Sequence, residues 1–176
     1  MSKPKTFLAR WALYAQGSHV ANASEYTPPP LTVVEAEFRA GHMDMPVVID
    51  DGMESMSVTL KLVGVDERIL ALFGFQSGGN PRFVVREGYV AGKTQRFIED
   101  EMEGLITKYE SDARTESDRA KCGVTVTLRP NIYKRTIDGK ETVYIDAIEG
   151  IRRINGVDQF EAVTSFVLGK TNSTSS

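Results

Sequence analysis

The feature that most constrains this chain is a period of two. In Ser55-Met56-Ser57-Val58-Thr59-Leu60-Lys61-Leu62, apolar and polar residues alternate without a break, and an extended strand turns that alternation into one buried and one wet face. Residues 31–39 repeat it, with Val34, Ala36 and Phe38 set against Glu35, Glu37 and Arg39, the pattern of an antiparallel sheet with one side in water. These two runs are expected to pair. Further strands are expected over residues 82–91 and 95–109, joined at Gly92-Lys93-Thr94, and over 123–136 and 140–148, joined at the hairpin turn Asp138-Gly139. Asp-Gly favours a two-residue hairpin because both central positions of a type I′ turn need positive φ. Nearer the start, residues 10–15 and 19–26 flank Gln16-Gly17-Ser18 as a hairpin or arm, and Pro28-Pro29-Pro30 forces an extended break.

Helical signals are sparse. Asp66 suits an N-cap, Val65 can staple onto Leu70 and Gly74 offers a left-handed stop, so a short helix is expected at residues 66–73. Phe160, Val163, Phe166 and Val167 have helical spacing and suggest a second, C-terminal helix. The charged stretch 110–120 lacks periodicity and reads as a solvated loop. The fold class is therefore mainly β (α+β): an antiparallel β-sandwich or barrel-like domain over residues 1–170, with an N-terminal arm, a long loop at 40–51 and a flexible polar tail at 171–176.

Composition narrows the chemistry. The 176 residues include 21 basic and 24 acidic side chains for a formal charge of −3, without the basic excess of a protein that tracks phosphates. The 41% hydrophobic content can build a core without disulfides or a structural metal. The single cysteine, Cys122, leads into Gly123-Val124-Thr125-Val126 and reads as a buried strand residue. No stretch approaches the roughly 20 apolar residues of a membrane span, and no h-region of a signal peptide follows the start, so a soluble chain of the reducing cytoplasm is expected.

A search for reactive groups nominates nothing. Neither His19 nor His42 lies beside a cysteine or carboxylate pair at zinc-ligand spacing. Glu99, Asp100, Glu101 and Glu103 are carboxylates in one strand, where neighbours point to opposite faces, and suit a solvated face better than an acid pair. Ser77-Gly78-Gly79-Asn80 lacks the residues of a phosphate loop, and no serine sits in a nucleophile elbow. No catalytic, cofactor-binding or metal residue is assigned, and the chain is not expected to be an enzyme.

The C-terminal third contains Tyr133-Lys134-Arg135-Thr136-Ile137-Asp138-Gly139-Lys140-Glu141, then Tyr144-Ile145-Asp146 and Ile154-Asn155-Gly156-Val157-Asp158-Gln159. Upstream stand Glu37-Phe38-Arg39-Ala40-Gly41-His42-Met43-Asp44, Pro46-Val47 and Gly52-Met53-Glu54. In this order the chain resembles the major tail tube proteins of contractile-tailed bacteriophages and R-type bacteriocins (tailocins), from about Ala12 to Leu168. The resemblance implies subunits that close into hexameric rings and stack as a hollow tube, a virion component assembled in the bacterial host cytoplasm. It implies as partners further copies of the chain, a sheath, baseplate or terminator proteins and a tape-measure protein. DNA would pass through the lumen without specific binding, or the tube would puncture a membrane in a tailocin, the host membrane being met only during injection. Tube proteins of type VI secretion systems share the architecture by analogy.

Within that picture the wet strand faces become lumen-lining candidates: Glu35, Glu37, Arg39, Ser55, Ser57, Thr59, Lys61, Glu99 and Glu101. The long loop supplies inter-ring contact candidates: Gly41, His42, Met43, Asp44, Met45, Pro46, Val47 and Val48. The competing class is a β-barrel module that binds nucleic acid or carbohydrate, which the acidic balance and sparse aromatics disfavour.

Overall fold

The computed structural model describes residues 5–170; the polar tail expected at 171–176 lies outside them. In chain order the elements are β1 (Phe7–Ala15), β2 (Ser18–Val20), β3 (Ala23–Thr27), β4 (Val33–Phe38), β5 (Val47–Met53), β6 (Val58–Val63), α1 (Glu67–Leu70), β7 (Arg82–Ala91), β8 (Thr94–Ser111), β9 (Gly123–Ile137), β10 (Lys140–Asp146), β11 (Ile151–Ile154) and α2 (Glu161–Val167). All named strand pairs are antiparallel, and the main sheet runs β11-β10-β9-β8-β7-β1-β2, with β6 joining β9 and β3 joining β6.

The sheet folds on itself because its two central strands are long. β8 has 18 residues and β9 has 15. The first part of β8 pairs with β7 up to Glu103, and the last part of β9 pairs with β10 from Ile132. The first half of β9 pairs instead with β6, from Gly123 to Leu128, and with the second half of β8 on its other side. The handover falls where Gly104 opposes Pro130 and the ladder shifts register. A Cβ on Gly104 would lie 2.3 Å from the Arg129 carbonyl oxygen and 2.4 Å from Pro130 Cα, so only glycine allows this approach. Proline, with no N–H to donate, is tolerated inside a sheet at such an irregularity. Gly123 permits a second close approach, since a Cβ there would meet the Leu62 carbonyl oxygen at 1.8 Å.

The two layers close over one core. Leu13, Phe83, Val85 and Met102 from one layer pack with Val58, Leu60, Leu62, Val124 and Val126 from the other. Tyr26 on β3 spans the gap: its hydroxyl donates to Asp100 Oδ2 on β8 at 2.8 Å, and its ring lies 6.5 Å from Trp11 on β1. Asp100 is 1% exposed and accepts two bonds from Arg135 of β9, at 2.7 and 2.8 Å. That pairing offsets the cost of taking a carboxylate out of water.

Several expectations hold. The sandwich, the N-terminal hairpin, the β7–β8 and β9–β10 hairpins and both helices are present. Asp138 and Gly139 have φ of 51° and 79°, as the type I′ turn requires. Asp66 caps α1 by accepting from the backbone N–H groups of Arg68 and Ile69, and Gly74 takes φ 76° just beyond it. The expected staple does not bury its residues: Val65 and Leu70 stay exposed, and Ile69 is the buried residue of α1.

Others are corrected. β4 does not pair with β6; it pairs with β5 in a separate two-stranded sheet. The long loop at 40–51 is accordingly much shorter, because Val47 and the residues after it belong to β5. Val34 and Phe38, read as core residues, are exposed on that hairpin. Cys122 precedes β9 in a partly exposed turn, where Arg114 Nη1 donates to its Sγ at 3.0 Å.

Gly104→Val is expected to destabilise the fold by about 3 kcal/mol, since backbone has to move to admit the side chain. Urea denaturation followed by circular dichroism checks this, and an unchanged midpoint would contradict the proposed handover.

Candidate functional surfaces

Four surfaces of the subunit stand out, and each follows from where the strands put their side chains. The first is the outer face of the β1-β7-β8-β9-β10 layer. Alternation along β8 buries Asp100 and Met102 and turns Glu99 and Glu101 outward. Both are met by arginines of β7: Arg86 Nε lies 2.7 Å from Glu99, and Arg82 Nη2 lies 3.0 Å from Glu101. Lys134 is the β9 register partner of Glu101, and Arg153 on β11 pairs with Glu141 at 2.6 Å while stacking over Tyr144. The face is thus a mesh of opposite charges. The Glu99 hydrogen bond is the leading reason that the Arg86 guanidinium is held above its ordinary range.

The second surface is the outer side of the other layer, where Ser57, Thr59 and Lys61 alternate with buried Met56, Val58, Leu60 and Leu62. Thr59 and Lys61 lie opposite Thr127 and Thr125 of β9. Ser55, just ahead of β6, accepts a hydrogen bond from Arg129.

The third is the β4–β5 hairpin. Its register sets Ala36 opposite Ile49 and Phe38 opposite Val47, with Val34 on the same side. Glu35 lies opposite Asp50 and Glu37 opposite Val48, on the other side. The apolar side is exposed, Phe38 by 53% and Ile49 by 48%. At the tip, Met43 N–H donates to the Ala40 carbonyl and Arg39 Nε to the Met43 carbonyl, which makes a compact turn of Gly41, His42, Met43, Asp44, Met45 and Pro46.

The fourth is α2, whose Val163, Phe166 and Val167 are exposed, Phe166 by 87%, with its N-cap Phe160 half exposed beside Arg152. The sheet also has open edges. Among the described residues, β2 covers β1 only from Leu13 to Ala15, so residues 7–12 present an unpaired edge. At the far end of the sheet, β11 is paired on one side.

The nine lumen-lining candidates therefore divide among three surfaces. Glu35, Glu37 and Arg39 belong to the hairpin, Ser55, Ser57, Thr59 and Lys61 to the β6 layer, and Glu99 and Glu101 to the opposite layer. The inter-ring candidates do come together, as the tip of the hairpin and the first two residues of β5. Arg82, Arg86 and Lys134 were missed, although Arg82, Val84 and Arg86 share one face of a strand by simple alternation. Asp100, read as part of an exposed acidic run, is buried; the Tyr26 and Tyr133 hydroxyls near it are pushed up in pKa, first by burial and then by its charge. Among the described residues no group of three or more metal-binding side chains gathers.

Comparison with known proteins places this geometry. The sequence profile of the family described as phage tail tube protein FII matches residues 5–167. Among solved structures, the fold is similar to a chain of an extracellular contractile injection system, the PVC sheath-tube complex in its extended state, at 11% identity, over 72% of this chain and 88% of that one, with a TM-score of 0.58. It is equally similar to a chain of the PVC sheath/tube terminator in the extended state, at 10% identity, over 72% and 93%, with a TM-score of 0.58. No curated protein matches significantly.

Neighbouring carboxylates on β8 should respond very differently to loss of their partners. Arg135→Ala leaves Asp100 buried without its counter-ion and is expected to cost about 3 kcal/mol. Arg86→Ala removes a solvent-exposed pair and is expected to leave the urea midpoint unchanged within error. Equal shifts in the two variants would contradict the assignment of faces.

Proposed function

The chain belongs to the phage tail tube protein FII family, and from that premise we propose that it is the repeating subunit of the inner tube of a contractile tail, closing into hexameric rings that stack around a channel. The family match across residues 5–167 carries this reading. The fold shared with chains of contractile injection assemblies supports it. Its work is assembly and conduction, not catalysis.

Physical features of the subunit fit this role. Unpaired strand edges and exposed apolar faces are liabilities for a monomer, and neighbours that complete the sheet remove them. The open edge of β1 and the β10–β11 end of the same sheet are complementary ends, as a head-to-tail ring requires. We assign the channel lining to the outer face bearing Glu99 and Glu101. Its carboxylates are matched by Arg82, Arg86 and Lys134, so the wall offers DNA no continuous basic track to grip and lets it slide. The hairpin residues Gly41, His42, Met43, Asp44, Met45, Pro46, Val47 and Val48 are assigned to ring-to-ring contact, with Glu35, Glu37 and Arg39 as part of that arm. The sheath, terminator or baseplate and tape-measure proteins are the expected partners, in a tail assembled in the host cytoplasm.

Negative-stain microscopy of the purified chain at rising concentration is expected to show rings and then tubes; a monomer at every concentration would overturn the proposal. Deleting residues 43–46 should leave soluble, folded protein that forms no extended tubes. Normal tubes from that variant would remove the hairpin tip from the ring-to-ring contact.

A further inference from the structure

The β4–β5 hairpin is joined to the rest of the subunit by very little. Its strands pair only with each other. At its base, Glu54 N–H donates to the Thr32 carbonyl, which closes the hairpin on itself. Among the described residues, one side chain from outside forms hydrogen bonds with it: Arg152 of β11, whose Nη2 lies 2.6 Å from Asp50 Oδ2 and whose Nη1 lies 3.3 Å from Asp50 Oδ1. Two clefts border this contact. One, of about 700 Å³, is lined by residues that include Gly52, Asp146 and Val163, and the other, of about 640 Å³, by residues that include Leu31, Val33 and Val157. Met53, the last residue of β5, packs against the core and roots the arm; further along the strand, the Arg152 fork at Asp50 is the side-chain hydrogen-bonded contact with the rest of the described subunit.

Arg152 is itself held. It follows Ile151 in a strand paired to β10, its backbone N–H donates to Asp158, and its guanidinium lies over the Phe160 ring at 5.8 Å. Asp50 is prepared in turn, since its Oδ1 also accepts the Gly52 N–H at the end of the strand. A planar guanidinium meeting a carboxylate through two nitrogens fixes direction as well as distance. The direction is informative: Asp50 lies on the side of the hairpin shared with Glu35, so Arg152 grips the polar side and leaves Ala36, Phe38, Val47 and Ile49 facing away from the grip.

We propose that Arg152 is a positioning residue for assembly, holding the β4–β5 arm at a set angle with its apolar side presented before a second ring arrives. The assembly part of this inference rests on the reading of the arm as a ring-to-ring contact; the holding part does not. An arm already ordered loses less conformational freedom on docking, so subunits add to the tube at lower concentration.

The test uses the full chain, Arg152→Gln, Asp50→Asn and the double variant. Asparagine keeps the acceptor for Gly52 while removing the charge. Hydrogen exchange of the dilute subunit is expected to quicken roughly threefold or more across β4 and β5 in each single variant, with β7, β8 and β9 unchanged. The double variant should be no faster than either single one, because both remove the same contact. The concentration needed for tube growth should rise by a similar factor. Unchanged exchange in the arm, or additive effects in the double variant, would overturn the holding role. Quickened exchange with unaltered tube growth would overturn the assembly role. If the unmodified chain forms no tubes, the tube reading fails while the exchange data still decide what Arg152 does.

Discussion

The architecture turns on the close approach of Gly104 to Arg129 and Pro130. Strands of 18 and 15 residues would make one long flat ribbon if nothing interrupted them. The missing side chain at 104 and the missing N–H at 130 let β8 and β9 shift register together and enter a second layer. Everything functional inherits that step. Before it, alternation along β8 gives Asp100 and Met102 to the core and Glu99 and Glu101 to an outer face; beyond it, β9 pairs with β6, whose wet face lies on the far side of the same core.

The acidic run on β8 shows how burial divides chemically similar neighbours. Asp100 meets Arg135 and Tyr26 inside, where an unpartnered charge would be costly. Glu99 and Glu101 meet arginines in water, where such pairs add little to stability and mainly shape the field of the surface. The hydrogen bonds it donates to Asp100, with burial opposing them, hold the Arg135 guanidinium above its ordinary range. On the proposed channel assignment, such a surface of balanced pairs would let a polyanion pass with neither adhesion nor repulsion dominating.

Much of this was legible from the residues. Alternation at 55–62, the Asp138-Gly139 turn and the Asp66 cap each encode local geometry, and local geometry survives folding. What was lost depended on partners. Val47-Val48-Ile49-Asp50-Asp51-Gly52-Met53 is an apolar run followed by an acidic one, with no alternation to mark a strand, so from sequence it reads as loop and leaves β6 as the apparent partner of β4. The period at 31–39 was seen correctly, yet period alone says that one face wants cover, not whether the same subunit provides it. Arg82 and Arg86 were visible as alternate residues of a strand; their significance needed the register that sets them beside Glu99 and Glu101.

That distinction explains the exposed apolar groups. Phe38, Ile49, Phe166 and Val167 would be a defect in a protein whose fold ended at its own surface. On the proposed assembly they are core residues whose other half belongs to a neighbour, which would account for their core-like patterning in the sequence. A two-stranded hairpin is marginal on its own in water, and this one pairs with no other strand of the subunit. Met53 roots it in the core and one fork of hydrogen bonds at Asp50 orients it; on the proposed assembly its remaining stabilisation comes from a neighbouring copy. On that reading the hydrophobic pattern of one subunit is incomplete by itself: one core closes within the sandwich, and the others would close between copies.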